Sequence, residues 1–490
     1  MAGGTWSTTD LPVLPGFYMN FKAAALASIS TSDRGTVLCP VKAHWGPVKE
    51  FVEVASVGEI LTKFGSDSDS DGSTVYKTLY MSLLGAPNKL LAYRVASAGA
   101  APATLTLKNN KATPEDTLIL TAKYPGARGN NFKITVQVNL LDNTKTDIKL
   151  YEGTTLLMTF TATDAENAMD VINASTDNVY IVASPAGANQ PSGSLAAVTS
   201  VALTGGNSGI ADISASAYTT ALDEFEKEKF NILSLDAITD AAIHTTVSSW
   251  VKRMRENGKM IMAVFGGTAA ADKSSTAVLE ATSRTAGFNH EGIVNVGCGV
   301  ILDDVEYSSA QVAPYVAGLI AGQKLSESTT YAATPFDDVN RRWTRSEQET
   351  AVRNGVFLLI NDGKIVKVLR GMNTLITLRQ DQNNQFKKIR AIRVMDAINT
   401  DLQTTAEDSY IGKINNTAEG RLALIGACKQ YMEVLVQGGV IEATGWDVIL
   451  DPAYYGNSAK ITPDPDQVFI KWNARLTDVI EQIFSTFMVQ

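Results

Sequence analysis

A chain of 490 residues is long enough for about three separately cored domains, and 45% hydrophobic with 19% charged residues is the make-up of ordinary globular protein. The formal charge of −9 excludes a design built around phosphate neutralisation, because nucleic-acid binders concentrate Lys and Arg. Three cysteines, Cys39, Cys298 and Cys428, are too few and too far apart for a disulfide framework or a CxxC metal site. Their small apolar neighbours predict reduced core thiols.

Met1-Ala2-Gly3-Gly4-Thr5-Trp6 supplies neither a basic n-region nor an apolar h-region, so no secretory signal is expected. No run approaches the ~18 apolar residues that cross a bilayer, so no membrane insertion is expected. Pro15-Gly16-Phe17-Tyr18-Met19-Asn20-Phe21 is strand-forming sequence where chain ends ordinarily fray into polar residues. The other end repeats the pattern in Val468-Phe469-Ile470-Lys471-Trp472 and then Val479, Ile480, Ile483, Phe484 and Phe487. Unpaired strand groups and aromatic side chains template association. Both ends are therefore expected to be β-arms that pair with other copies, through Phe17, Tyr18 and Phe21 and through Val479, Ile480, Ile483, Phe484 and Phe487.

Over 35–94 a strand at Thr36-Val37-Leu38-Cys39 precedes helical spacing at Val57, Ile60, Leu61 and Phe64, a second helix over 75–84, and a strand at Lys89-Leu90-Leu91-Ala92-Tyr93-Arg94-Val95. Between the helices, Asp67-Ser68-Asp69-Ser70-Asp71-Gly72 matches the opening of an EF-hand loop. The twelfth position, where a bidentate Glu is needed, is Thr78, so a solvated acidic loop is expected and no metal. A low-complexity patch at 96–103 marks a boundary. From 103 to 204 short strand candidates at 103–107, 117–122, 132–138, 146–151, 156–161 and 179–182 alternate with Asn-Asn, Pro-Gly, Asp-Asn and Glu-Gly turns, the pattern of a small β-sandwich. Pro191-Ser192-Gly193-Ser194 and Gly205-Gly206-Asn207-Ser208-Gly209 are expected to be its exit linker.

Over 210–345 helices at 215–228, 241–257, 274–287 and 309–322 alternate with strands at 230–235, 260–265 and 293–302. Unbroken apolar strands such as Met260-Ile261-Met262-Ala263-Val264-Phe265 predict burial on both faces, hence a doubly wound parallel sheet. Gly297-Cys298-Gly299 is half a dinucleotide fingerprint, but Val300-Ile301-Leu302 continues the strand pattern and no Gly-Lys-Ser/Thr P-loop occurs. No cofactor is expected. A protease would need a nucleophile, a base and an orienting carboxylate; His44 lies outside this unit, while His244 and His290 are expected to be solvated surface residues, and no Gly-x-Ser-x-Gly elbow occurs.

Residues 356–369 predict a hairpin around Asn361-Asp362-Gly363-Lys364, with Asp-Gly at the positive-φ turn positions. Helices follow over 385–403 and 417–437, the second stopped by Gly438-Gly439. The pairs at 479/480, 483/484 and 487/488 fit helical spacing too, but Val, Ile, Phe and Thr favour a strand. Between 364 and 393 stand eight basic residues against the single acidic Asp381. Such a run is ordinarily a solvated face; Arg421 and Lys429, eight apart, share nearly one helical face.

Leu14-Pro15-Gly16-Phe17-Tyr18-Met19-Asn20-Phe21, Arg34-Gly35-Thr36-Val37, His44-Trp45-Gly46-Pro47, Ala122-Lys123-Tyr124-Pro125-Gly126-Ala127-Arg128-Gly129-Asn130, and Tyr410-Ile411-Gly412-Lys413 with Glu419-Gly420-Arg421 resemble, in order, the contractile tail sheath family, in its branch of Gram-positive myophages and phage-tail-like bacteriocins. The resemblance implies a multidomain α/β plus β fold. It divides as an N-terminal arm (1–30), the N-terminal part of the core (31–96), an inserted β-sandwich (97–205), a subtilisin-like α/β sheath domain (206–345), an α+β C-terminal domain (346–467) and a C-terminal arm (468–490). Hinges are expected inside the arms, at 23–32 and 464–467. It also implies a non-enzymatic structural subunit of a virion or phage tail-like particle, assembled in a bacterial cytoplasm. Its partners would be itself, as a helical polymer, the inner tail tube, and baseplate and tail terminator proteins, without direct nucleic acid; the resemblance makes the basic surface tube-facing or neighbour-facing, with Lys387, Lys388, Arg390 and Arg393 as tube contacts and Arg421 and Lys429 as alternatives. The remaining alternatives are a cytoplasmic α/β hydrolase with an accessory β domain and a secreted adhesin, the latter lacking a signal.

Overall fold

Unbroken apolar strands that bury both faces build the centre of the fold. In the computed structural model, which describes residues 3–4, 17–18, 34–65, 72–457 and 459–488, a six-stranded sheet runs in the order Ile293–Asn295, Met262–Phe265, Ile232–Ser234, Thr36–Val41, Lys89–Arg94, Phe51–Glu53. All neighbours are parallel except the antiparallel edge Phe51–Glu53. Every residue of Thr36–Val41 is buried. One face packs Leu38, Leu91, Tyr93, Leu233, Ala263 and Phe265 against the helices Ala215–Phe225 and Ala241–Glu256. The helices Val75–Leu84 and Ser309–Gly322 lie against each other on the same sheet. They approach so closely that a Cβ on Gly318 would stand 2.3 Å from the Ser82 carbonyl oxygen, so only glycine fits there.

The chain divides into two units, Asp33–Arg393 and Val394–Gln490 with Met1–Ser32. Within the first, the β-sandwich is inserted between the strand Lys89–Arg94 and the helix Ala215–Phe225. Its sheets are Thr155–Ala162, Thr146–Glu152, Phe132–Val138, Val198–Ala202 in that order, and Ile181–Pro185, Asp116–Ala122, Thr104–Lys108. The first five expected strands form within about a residue of their expected bounds, and the one expected at 179–182 lies instead at Ile181–Pro185. A helix at Ala165–Ala174, capped by the Asp164 carboxylate on the Asn167 N–H, was not expected, nor was the strand Val198–Ala202. The expected exit linker is instead part of the domain: Leu195 bridges Asn109, and Gly206 exchanges two hydrogen bonds of 2.8 Å with the Asn130 side chain.

The sandwich is joined to the sheet by a knot built on two of the segments that carry the resemblance, 44–47 and 122–130. Trp45 leaves the α/β unit to sit in the sandwich core, edge-on to Tyr124 and Phe132 at 5.2 Å. Arg128 covers that indole and forms a two-pronged ion pair with Glu152, at 2.7 and 2.9 Å. Arg94, fully buried, donates from Nη1 to the carbonyls of Gly46 and Pro125, each at 2.7 Å, and from Nη2 to that of Ser208 at 3.3 Å. Gly126, at φ +153, presses so tightly on His44 that a Cβ would lie 1.8 Å from its carbonyl oxygen.

The expected strand 293–302 breaks. Val296 bridges Phe357, and the Cys298 thiol reaches the Leu359 carbonyl. Val300–Leu302 then belongs to a different, antiparallel sheet between Val305–Tyr307 and Asp338–Val339. Glycines at 297 and 299 weaken a strand interior and let the chain change sheets. The two-residue turn that follows, Asp303-Asp304, places both residues at positive φ, 50° and 61°. Such turns favour Asn-Gly, and an L-residue held there is strained. We expect Asp304→Gly to raise stability by about 0.5–1 kcal/mol, read as a higher thermal midpoint; an unchanged or lower midpoint contradicts the strain.

Leu359–Asn361 and Val366–Val368 form the expected hairpin, but around a four-residue loop, 362–365, in which only Gly363 has positive φ. The helix expected at 274–287 forms as Ala277–Phe288, preceded by a separate short helix, Ala269–Lys273, that was not expected. In the second unit, Val394 lies within the helix Ile389–Thr405, a π-helical turn Ala406–Tyr410 follows, and the helix Ala418–Gln437 ends at Gly438, with Gly439 at φ +65. Tyr431 donates to Asp401 at 2.6 Å within this unit's core. The antiparallel strands Asp447–Leu450 and Ile470–Asn473 complete it. Ile470, Lys471 and Trp472 are therefore paired within their own subunit, which corrects the expectation that the free arm begins at 468. The expected hinge 464–467 is a closed turn, its Pro465 and Gln467 carbonyls held by the Asn416 amide.

Candidate functional site

In an open parallel sheet, ligands bind beyond the carboxyl ends of the strands where the strand order reverses. That place lies between Thr36–Val41 and Ile232–Ser234. Asp236 is buried there, accepting from Thr74 Oγ1 and Tyr218 Oη, both at 2.8 Å, with Lys42 Nζ at 3.6 Å. Burial pushes its carboxyl upward against Lys42 and the two hydroxyls. These groups satisfy one another, so the position is filled by the chain's own side chains.

A second polar cluster holds two helix starts together. Asp272 accepts from the Ser309 N–H at 2.6 Å and from its hydroxyl at 2.7 Å, while Arg284 donates to Asn295 at 2.7 Å. Burial, opposed by the Ser309 bonds and Arg284, pushes the Asp272 carboxyl up to about 6. A carboxyl with a higher pKa folded than unfolded binds more protons in the native state between the two values. Stability then falls as pH rises from about 4 to about 6, by up to about 3 kcal/mol. We expect D272N to lose that slope in urea unfolding across this window; a slope kept in full contradicts the assignment.

The histidines are not the solvated surface residues expected. His244 is buried, its Nε2 2.8 Å from the Ile238 carbonyl oxygen and its ring 4.8 Å from Phe265, and burial lowers its pKa. His290 is half-buried, accepts from the Gly292 N–H at 3.1 Å, and is pushed down to about 4 by burial. His44 Nδ1 lies 2.8 Å from Ser208 Oγ, which also accepts from the Ala127 N–H at 2.9 Å. These contacts tie the rings to local backbone and to the domain junction, and the hydrolase alternative finds no support in them. Among the described residues no group of three or more His, Cys, Asp or Glu side chains is arranged to hold a metal ion. The EF-hand-like run lies mostly outside the described residues.

The basic stretch is not one outward face. Arg390 is buried, and Arg393 donates to the carbonyls of Ala321 and Gln323 at the end of the helix Ser309–Gly322. Lys367 pairs with Asp362 at 2.7 Å and lies over the Tyr331 ring at 4.4 Å. Lys387 and Lys388 are half-buried beside the 3-10 turn Asn384–Lys387. In the second unit, Arg421 bonds the Asn416 side chain at 2.8 Å and lies over Tyr455, while Lys429 pairs with Asp447 at 2.9 Å.

What the carboxyl-terminal unit leaves open is its end. Leu476 bridges Ile441 and the Thr477 N–H bonds the Val440 carbonyl at 3.1 Å. Beyond that, residues 478–488 form neither helix nor strand. Ile480, Ile483, Phe484, Phe487 and Met488 are 84%, 83%, 88%, 90% and 81% exposed; Val479 is half-buried. Five large apolar side chains in eleven residues of open chain are the kind of exposed surface that marks an interaction site. The strands Asp447–Leu450 and Ile470–Asn473 form a two-stranded sheet, each with one side lacking a strand partner among the described residues. Phe17–Tyr18 pairs in parallel with Gly3–Gly4; Phe21 lies outside the described residues.

A filled ligand position, a sandwich knotted to an α/β core and an exposed apolar end are features of a building block of a larger assembly. Comparison with known proteins gives that class its family. The phage tail sheath β-sandwich domain matches residues 97–208, the phage tail sheath central domain 211–374 and the phage tail sheath C-terminal domain 381–490. The phage-like element PBSX protein XkdK of Bacillus subtilis is 28% identical over 91% of this chain and 92% of its own. The solved sheath tail protein of Desulfitobacterium hafniense is 28% identical with a TM-score of 0.72, covering 95% of this chain and 98% of its own. The fold is also that of the anti-feeding prophage helical sheath in its contracted state, at 12% identity and a TM-score of 0.56, over 98% of this chain and all of that one. The chain belongs to the phage tail sheath family and is a subunit of a contractile tail sheath.

Sequence reasoning missed Arg94, although a lone charge closing the apolar run Leu90-Leu91-Ala92-Tyr93 is a legible sign of a buried partner set. It also passed over Leu140-Leu141, an apolar pair inside a cluster of turn residues.

Proposed function

We propose that this subunit polymerises as a helical sleeve around an inner tail tube and contracts to drive that tube through a bacterial envelope. The observation that carries the reading is the exposed apolar segment after Thr477, beside a two-stranded sheet with open edges. Strand addition by this segment, and by the segment around Phe17, Tyr18 and Phe21, joins successive copies through main-chain hydrogen bonds. A head-to-tail interface of that kind gives open filaments instead of closed dimers. The exposed stripe Leu422, Gly426, Gln430 and Val434 on the helix Ala418–Gln437, flanked by Arg421 and Lys429, is the surface we assign to the tube. Lys387 and Lys388 remain separate candidate contacts, whereas Arg390 and Arg393 turn inward within their own unit.

Contraction on this reading is a repacking of rigid bodies between two arrangements, with the joined arms keeping neighbours together while the bodies turn. Each subunit need contribute only a few kcal/mol because many switch together. No step calls for catalysis or a cofactor. The sleeve is bounded by baseplate and tail terminator proteins, in a virion or phage tail-like particle assembled in the bacterial cytoplasm. Negative-stain electron microscopy of the purified chain tests the reading: hollow sleeves support it, and single particles at every concentration refute it.

A further inference from the structure

The β-sandwich carries a second apolar feature, at the tip of its central hairpin. Leu140 and Leu141, in the loop between Phe132–Val138 and Thr146–Glu152, are 91% and 98% exposed, and Val138 beside them is 57% exposed. The loop that presents them is braced. The Asn139 side-chain oxygen accepts from the N–H groups of Leu141 and Asp142, both at 2.9 Å, and its amide donates to Asp147 at 2.7 Å. Asp142 accepts from the Thr144 N–H at 3.1 Å, and backbone bonds join Asn139 to Lys145 and Lys145 to Asp142. Polar side chains thus hold two leucines in water, so little ordering entropy remains to be lost on docking.

Its place in the fold gives the tip a direction. The same hairpin starts at the domain junction, where Phe132 packs on Trp45 and Glu152 pairs with Arg128. Seven residues of strand carry the tip about 20 Å from that anchor. We propose that Leu140 and Leu141 form a distal contact that docks on a second copy of this chain in the assembled sheath, an inference that rests on the sheath reading above.

Area and charge favour this occupant. Two leucine side chains bury far less than the ~1,000 Å² that a specific interface needs, so they cannot hold a freely diffusing protein. In a homopolymer the contact is repeated and its partner already tethered, and there a weak contact becomes effective. A lipid surface fits poorly, because residues 97–208 carry seven Lys and Arg against nine Asp and Glu, and the tip itself holds Asp142.

The test compares the full chain with the double variant Leu140→Ser, Leu141→Ser by sedimentation across protein concentration, alongside thermal unfolding of each monomer. We expect an unchanged melting temperature and a critical concentration for sleeves raised about tenfold or more, as befits the loss of two buried leucines. Leu141→Cys, treated in sleeves with a short bis-maleimide, is expected to give crosslinked dimers; the native cysteines are all buried. Equal critical concentrations without crosslinks, while the unmodified chain forms sleeves, overturn the proposal and leave the sheath reading standing. Absence of sleeves from the unmodified chain overturns both. Co-sedimentation with phosphatidylglycerol vesicles that the double variant loses names lipid as the occupant and overturns the proposal as well.

Discussion

A chain ending at residue 478 is expected to remain folded and monomeric and to form no sleeves at any concentration. The cut removes Ile480, Ile483, Phe484, Phe487 and Met488, none of which is buried in its own subunit. The last backbone ties to the domain, from Leu476 to Ile441 and from Thr477 to Val440, are kept. Folding stability should therefore change by less than about 0.5 kcal/mol, the scale of surface changes. Association should collapse, because each large side chain among them is worth about 1.5–3 kcal/mol on full burial and the main-chain pairing is lost with them. Static light scattering and electron microscopy read the result. Sleeves of normal length from the shortened chain would remove the segment from the assembly mechanism.

The second large effect is expected at Arg94. Burial lowers its pKa only to about 10, so it keeps its charge at neutral pH. It spends that charge on the carbonyls of Gly46, Pro125 and Ser208. Hydrogen bonds from a charged donor contribute about 1.5–3 kcal/mol each, and buried carbonyls left unpaired carry a desolvation penalty. Arg94→Met should cost about 3–5 kcal/mol, and the loss should appear first as separation of the sandwich from the α/β sheet. Limited proteolysis is then expected to cut at 96–103 and 205–210 before the rest of the chain. Arg94→Lys should rescue little, since a single ammonium cannot fork to three carbonyls. A melting temperature within a degree of the parent, with unaltered cleavage, would contradict this role.

Apolar periodicity made the α/β unit legible, because strands such as Met262–Phe265 and helices such as Ser309–Gly322 bury what their pattern says they bury. The central position of Thr36–Val41 was not legible, since its neighbours Ile232–Ser234 and Lys89–Arg94 are fixed by pairing across an inserted domain. The break at Gly297-Cys298-Gly299 was misread because the apolar run on either side hides a change of sheet. His244 and His290 were misplaced for a related reason: burial depends on what packs over a loop or helix start, and Phe265 and Phe288 reach His244 from other elements, while Thr374 reaches the His290 loop from far along the chain. Among the candidate contacts, the run from Lys387 to Arg393 was visible as charge, while the inward turn of Arg390 and Arg393 follows from the buried Ile389 and Ile392 beside them on the helix. The terminal segment kept its two spacings, and the isolated subunit imposes neither.

Hydrogen–deuterium exchange of the amides at 479–488 tests most directly whether this end pairs with another copy. The account predicts rapid exchange in the monomer and protection of at least about a hundredfold in sleeves, as main-chain hydrogen bonds form. Equal exchange in the two states would contradict it.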